Sequence, residues 1–120
     1  MATKRQLKKF IRNACGCIAA EMILARAAFP QIERKKAYDV IRDAAALQTR
    51  TLSRVNIGFD KAPDAFESIH AYRKGRRAYY AEAYSHLLKE FDEGINAIVK
   101  EMNAALPEEV RTAIKEAVNE

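Results

Sequence analysis

The stretch A-C-G-C-I-A-A-E-M-I-L-A-R-A-A-F, from Ala14 to Phe29, is the apolar centre of the chain. It holds only two charged residues, Glu21 and Arg26, and is flanked by heavily charged sequence. Its small residues let other helices come close on more than one side. We therefore read it as the buried middle of a first helix around which the others pack. At helical spacing Leu7, Ile11 (with Phe10), Ala14, Ile18, Ala25 and Phe29 trace one stripe. Glu21 falls on or beside that stripe. A carboxylate there is either at the edge, reaching water or an arginine, or a buried acid or metal ligand inside a bundle.

The rest of the chain supports an all-helical reading. Its 120 residues are enough for one domain with its own core. Apolar residues make up 49% and charged residues 31%, a globular balance. Alanine is abundant, Gly and Pro are scarce, and no alternating β-branched run appears. We expect an all-α, up-and-down bundle of three long helices and a short fourth, in a single domain spanning 1–120.

The first helix starts near Thr3, a suitable N-cap, and ends before Pro30. The second runs from about Gln31 to Val55, with Ile32, Tyr38, Ile41, Ala45, Leu52 and Val55 as its core stripe. Gln48 and Thr49 loosen its middle. Asn56 to Asp60 breaks it, with Gly58 suited to a left-handed cap. The third begins near Asp64, where Asp64 and Glu67 have capping-box spacing. Its stripe is Phe66, Ile69, Tyr72, Tyr80, Tyr84, Leu87, Phe91, Ile95, Ile98 and Met102. Gly75 either ends one helix or sits inside a continuous one. No Ser, Thr, Asp or Asn follows closely to cap a fresh start, so continuation is preferred. A rod of about 60 Å results, longer than its partners and needing a bend, a second chain or solvent. Pro107 stops it and opens a last helix whose apolar edge is Val110, Ile114, Ala117 and Val118.

Charge is unevenly spread. Residues 1–61 carry a net +8 and residues 62–120 a net −3, giving +5 overall. Such asymmetry suits nucleic acid or an anionic surface. It suits even better helices of opposite sign lying side by side, within one chain or across a dimer. Tyr72-Arg73-Lys74-Gly75-Arg76-Arg77-Ala78-Tyr79-Tyr80 is the best nucleic-acid segment: basic groups for phosphates, tyrosines for base stacking. Lys4, Arg5, Lys8, Lys9 and Arg12 would extend the patch. The plainer reading is a solvated basic collar above core tyrosines, since no reader motif accompanies the charge.

Glu67-Ser-Ile-His70 is a Glu-x-x-His pair that a helix would present on one face. Di-iron bundles use two such pairs plus two further glutamates. With Glu21 as the extra glutamate, a two-fold dimer would supply the set. A plain helix-edge pair explains the same spacing. Glu82 and His86 read as a surface i,i+4 pair. Cys15 and Cys17 point to different helix faces, and their apolar neighbours suggest inert buried thiols. Ser53, Ser68 and Ser85 have no hydrolase motif around them, the four glycines form no phosphate loop, and no cofactor motif is present. The N-terminus has the outline of a secretory signal, with Lys4–Arg12 basic and Ala25-Arg26-Ala27 at a cleavage-like position. Glu21 and Arg26 interrupt its apolar core, and the basic segment is itself helical in period, so we read against export. No run is apolar enough to span a membrane.

Thr3-Lys4-Arg5-Gln6-Leu7-Lys8-Lys9, followed by a cysteine-containing apolar helix with Glu21, resembles small uncharacterised all-helical proteins of anaerobic Gram-negative bacteria. That group has no assigned activity. The resemblance implies a cytosolic helical protein and carries over no catalytic residue. The long aromatic stripe of the third helix leads us to expect self-association, most simply as a two-fold dimer. The expected function is a non-enzymatic, cytoplasmic interaction or assembly protein. A nucleic-acid-associated protein using segments 4–12 and 73–77 is the alternative, and a metal-dependent bundle enzyme the third.

Overall fold

The computed structural model describes residues 3–119, and every described element is helical. Four α-helices follow in order: α1 (Lys4–Ala28), α2 (Arg34–Ser53), α3 (Ile69–Ala105) and α4 (Glu108–Asn119), with a short 3-10 turn at Pro63–Ala65. The fold is all-α, as expected.

The start of α1 follows from its first residues. The Thr3 hydroxyl accepts the Gln6 N–H at 3.1 Å, and the Gln6 side chain accepts the Thr3 N–H at 2.9 Å. Two backbone donors that a helix start leaves open are thereby satisfied. α1 closes at Phe29, ahead of Pro30. Its buried seam is Ile11, Cys15, Ile18 and Met22. Leu7, Ala14, Ala25 and Phe29 are half-buried beside it.

Here the expected architecture needs correction. The Ala14–Phe29 stretch is not enclosed by its neighbours. Gly16, Cys17, Ala20, Glu21, Ile23, Leu24 and Ala27 are exposed. A β-carbon on Gly16 would meet nothing within 4 Å, so no other backbone approaches there. The shared neighbour is α2, which packs along α1 on one side and along α3 on the other, while α1 and α3 touch little. An apolar run around a whole helix can serve two partners, and within the chain only one side of it is taken.

α2 begins three residues later than expected, at Arg34, behind an N-cap, Glu33, that makes no side-chain capping bond. Its seam is Ala37, Val40, Ala44, Leu47 and Thr51, rotated by about one residue from the expected stripe. Tyr38 is 63% exposed as a result. The reason lies on α3. A β-carbon on Gly94 would stand 2.7 Å from Leu47 Cδ1, so Leu47 occupies the gap that glycine leaves. Gly58 is no left-handed cap: among the described residues no backbone angle φ is positive, and α2 ends on Arg54 in right-handed geometry.

α3 also starts late. Asp64 belongs to the 3-10 turn, and the N-cap is Ser68, whose hydroxyl accepts the Ala71 N–H at 3.1 Å. Phe66, held extended between the two, turns its ring onto Gly75, where a β-carbon would lie 3.0 Å from Cε1. Gly75 is therefore a seat inside a continuous helix of 37 residues, about 55 Å long. Val110 of α4 is buried and Ile114 half-buried, but Ala117 and Val118 face solvent. Among the described residues no helix is long and apolar enough to cross a membrane.

Candidate functional site

Three contacts fix how the helix ends align. Phe10 of α1 meets Phe91 of α3 edge to face, ring centres 6.0 Å apart. The Tyr84 hydroxyl donates to the Val55 carbonyl at 2.9 Å, tying α3 to the end of α2. Arg54 pairs with Glu90 alongside. The start of α1, the end of α2 and the middle of α3 thus stand at one level. Residues 69–83 of α3 run on beyond them. Segments 4–12 and 73–77, far apart in sequence, fall along the same half of the molecule, the first level with the middle of α3 and the second on its projecting part.

Acid is outnumbered in that half, where Asp60, Asp64 and Glu67 lie on the segment ahead of α3 and Glu82 and Glu90 on α3 itself. No Asp or Glu occurs in residues 1–20, 44–59 or 68–81. These three segments hold eleven Lys and Arg: five in the first, Arg50 and Arg54 in the second, and Arg73, Lys74, Arg76 and Arg77 in the third. Among the described residues only Arg54 of the eleven has a carboxylate partner, Glu90. The Arg54 guanidinium, first by its hydrogen bond and then by its charge, holds the Glu90 carboxyl below the usual range. Arg73, Lys74, Arg76 and Arg77 are exposed, as are Lys4, Arg5, Lys9 and Arg12, while Lys8 is half-buried.

The tyrosines of this half already contact other protein rings, with Tyr72 and Tyr80 half-buried and Tyr79 36% exposed. Phe59 stands 5.8 Å from Tyr72 and 5.2 Å from Tyr79, and Phe66 stands 5.6 Å from Tyr72. Tyr80 stacks on Tyr84 at 6.0 Å and carries the Arg76 guanidinium 5.2 Å above its ring. Burial, with Tyr80 beside it, pushes the Tyr84 hydroxyl up from its ordinary value. The Phe59–Phe66 segment covers one side of the projecting part of α3. Base stacking by these tyrosines, expected from the sequence, would have to displace protein rings. Among the described residues the cations of the three segments, other than Arg54 and Arg76, have no such partner.

A second constellation has no signal in the sequence. Asp39 and Asp43 of α2 face Glu101 of α3 across two adjoining shallow grooves of about 270 and 220 Å³. Arg42 lies 3.4 Å from Asp39 and 3.5 Å from Asp43. Burial, then the hydrogen bond to Asp43 and the charges of Asp43 and Asp39, push the Glu101 carboxyl up, against the pull of Arg42. Only the packing of α2 on α3 brings these acids together.

The metal candidates are dispersed within the chain. Glu21 is exposed on α1, so it is no buried acid. Glu67 lies ahead of the Ser68 cap, so Glu67 and His70 do not share a helix face, and both are exposed. Among the described residues no three of His, Cys, Asp and Glu stand close enough to hold one ion. Cys15 is buried, which raises its thiol pKa, but Cys17 is exposed, against the expectation of two buried thiols. Glu82 and His86 stand 3.9 Å apart as a surface i,i+4 pair. Set beside known protein families, curated proteins and solved structures, the chain matches none of them.

Proposed function

We propose that the protein is a non-enzymatic assembly protein that pairs with a second copy through the outer face of α1. The observation that carries this is the exposure of that face: Ile23 is 55% and Leu24 68% exposed, beside Gly16, Ala20 and Ala27. Of the expected association surface, the aromatic stripe of α3, Leu87, Phe91 and Ile98 are buried in the chain's own core and Tyr72 packs against Phe59 and Phe66, while Ile69 stays 56% exposed. The exposed apolar pair Ile23 and Leu24 lies on α1.

The face is self-complementary in one direction. Its large residues, Ile23 and Leu24, lie toward the C-terminal end, and Gly16 lies toward the N-terminal end. An antiparallel pair centred on Ala20 sets Leu24 of each copy over Gly16 of the other, where open space awaits it. It also sends the five cations of residues 4–12 to opposite ends. A parallel pair would align them, and like charges repel. Surface area agrees: the chain exposes 8664 Å², whereas a compact monomer of its mass exposes about 6,600 Å². That surplus exceeds the roughly 800 Å² per partner of an ordinary interface.

Sedimentation equilibrium over a range of protein concentrations tests the reading. A monomer–dimer equilibrium is expected, abolished by Leu24→Glu and weakened by Gly16→Leu. A wild-type chain that stays monomeric at high concentration, or a Leu24→Glu dimer as strong as wild type, refutes it.

A further inference from the structure

We propose that the basic end of the molecule is a binding site for single-stranded nucleic acid. One chain suffices for it, so it stands apart from the pairing of α1. Three acid-free segments lie along this half of the molecule, where their cations outnumber the acids Asp60, Asp64, Glu67, Glu82 and Glu90, and ten of the eleven cations lack a carboxylate partner among the described residues. Crowding like charges is unfavourable unless counter-ions gather around them. A phosphate backbone offers the same charge already strung together and releases its own counter-ions on binding. Three of the four collar cations are arginines, whose planar fork holds a phosphate through two bonds.

The shape selects the strand. At about 100° per residue, Arg76, Arg73, Arg77 and Lys74 fan over roughly 160° of the α3 circumference. A partner that meets all four must bend around a rod about 10 Å across. Duplex DNA, stiff over about 150 base pairs, cannot follow such a curve. Nor can the projecting helix enter a major groove about 12 Å wide, because the Phe59–Phe66 segment lies against the same stretch of α3 and widens it. A single strand bends freely. Measured along α3, the cationic zone from Arg73 to the level of Phe91 and Phe10 spans about 27 Å, room for several phosphates. Because the tyrosines already pack against protein rings, affinity comes chiefly from phosphates, so little sequence preference is expected.

The test uses the full chain with fluorescent 20-nucleotide single strands of DNA and RNA, the matching duplex, polyglutamate and anionic phosphatidylserine vesicles. Binding is read by anisotropy or co-sedimentation between 50 and 300 mM salt. Both single strands should bind at 50 mM salt and weaken steeply as salt rises. Arg73→Glu with Arg77→Glu should weaken binding at least tenfold and flatten the salt dependence. Arg73→Lys with Arg77→Lys should keep most of it. Lys35→Glu with Lys36→Glu, at the opposite end of α2, should change it less than twofold. All four positions are exposed, and circular dichroism checks that helicity is unchanged. The proposal is overturned if neither single strand binds at 50 mM salt. It is equally overturned if the Lys35/Lys36 pair matters as much as the collar, or if duplex, polyglutamate or vesicles bind as tightly as the strands.

Discussion

At the scale of single residues, the glycines divide by what surrounds them. Glycine inside a helix costs about 0.5–1 kcal/mol relative to alanine. Gly16 returns nothing within the chain for that cost, since its surroundings are open. Gly16→Ala should therefore stabilise dilute protein by up to about 1 kcal/mol in urea unfolding. Gly94 is the opposite case, with Leu47 filling its gap. Gly94→Val should destabilise by about 1–3 kcal/mol, because Leu47 must leave the gap it fills. The sequence alone ranks the two glycines alike; only the contact across two helices separates them. Glu101 gives a second residue-scale prediction. Its carboxyl is raised in the folded chain by partial burial and by Asp43. A raised acid favours folding when protonated, and that advantage is lost as pH rises through its folded value. Glu101→Gln should thus raise the melting temperature at pH 7. The gain should vanish toward pH 4, near the ordinary glutamate value. Calorimetry at both pH values checks it, and an equal gain at pH 4 would point to helix propensity instead.

At the scale of elements, α3 is where sequence reasoning did best and worst. Its continuity through Gly75 was legible, because nothing after that glycine caps a new helix. Its start was not. The Asp64/Glu67 spacing imitates a capping box, yet Phe66 must stay extended for its ring to reach Gly75, and that postpones the helix to Ser68. The same ring, with Phe59, covers one side of the part of α3 that α1 and α2 do not reach. Phe66→Ala should therefore loosen residues 69–80 locally. Hydrogen exchange there should quicken markedly, while residues 87–105, packed on α2, keep their protection. Uniform loss along α3 would mean that the helix unfolds as one unit. α2 shows a different limit. On an alanine-rich helix two neighbouring phases look equally apolar, and the partner's Gly94 chooses between them. The candidate site was legible only in pieces: segments 4–12 and 73–77 stand out by charge, but Arg50 and Arg54 join them only through the antiparallel packing of α2 on α3.

At the scale of the whole molecule, the decisive property is elongation. The chain measures 65 × 29 × 20 Å with a radius of gyration of 19.9 Å, against about 14 Å for a compact chain of this length. The length of α3 sets this, because α1 and α2 stop level with its middle while its first turns project. Elongation leaves the projecting cations reachable from several sides, and it leaves α1 with an unshared face. It also makes the two proposals separable in solution. Small-angle scattering of dilute protein should give a radius of gyration near 20 Å. Leu24→Glu should keep that value at all concentrations, whereas the wild type should rise above it as copies pair along α1. Adding a single strand to dilute Leu24→Glu protein should still form a complex, since the collar of one chain supplies the phosphate contacts. A strand that binds only the paired wild type would instead place the anion site across two copies.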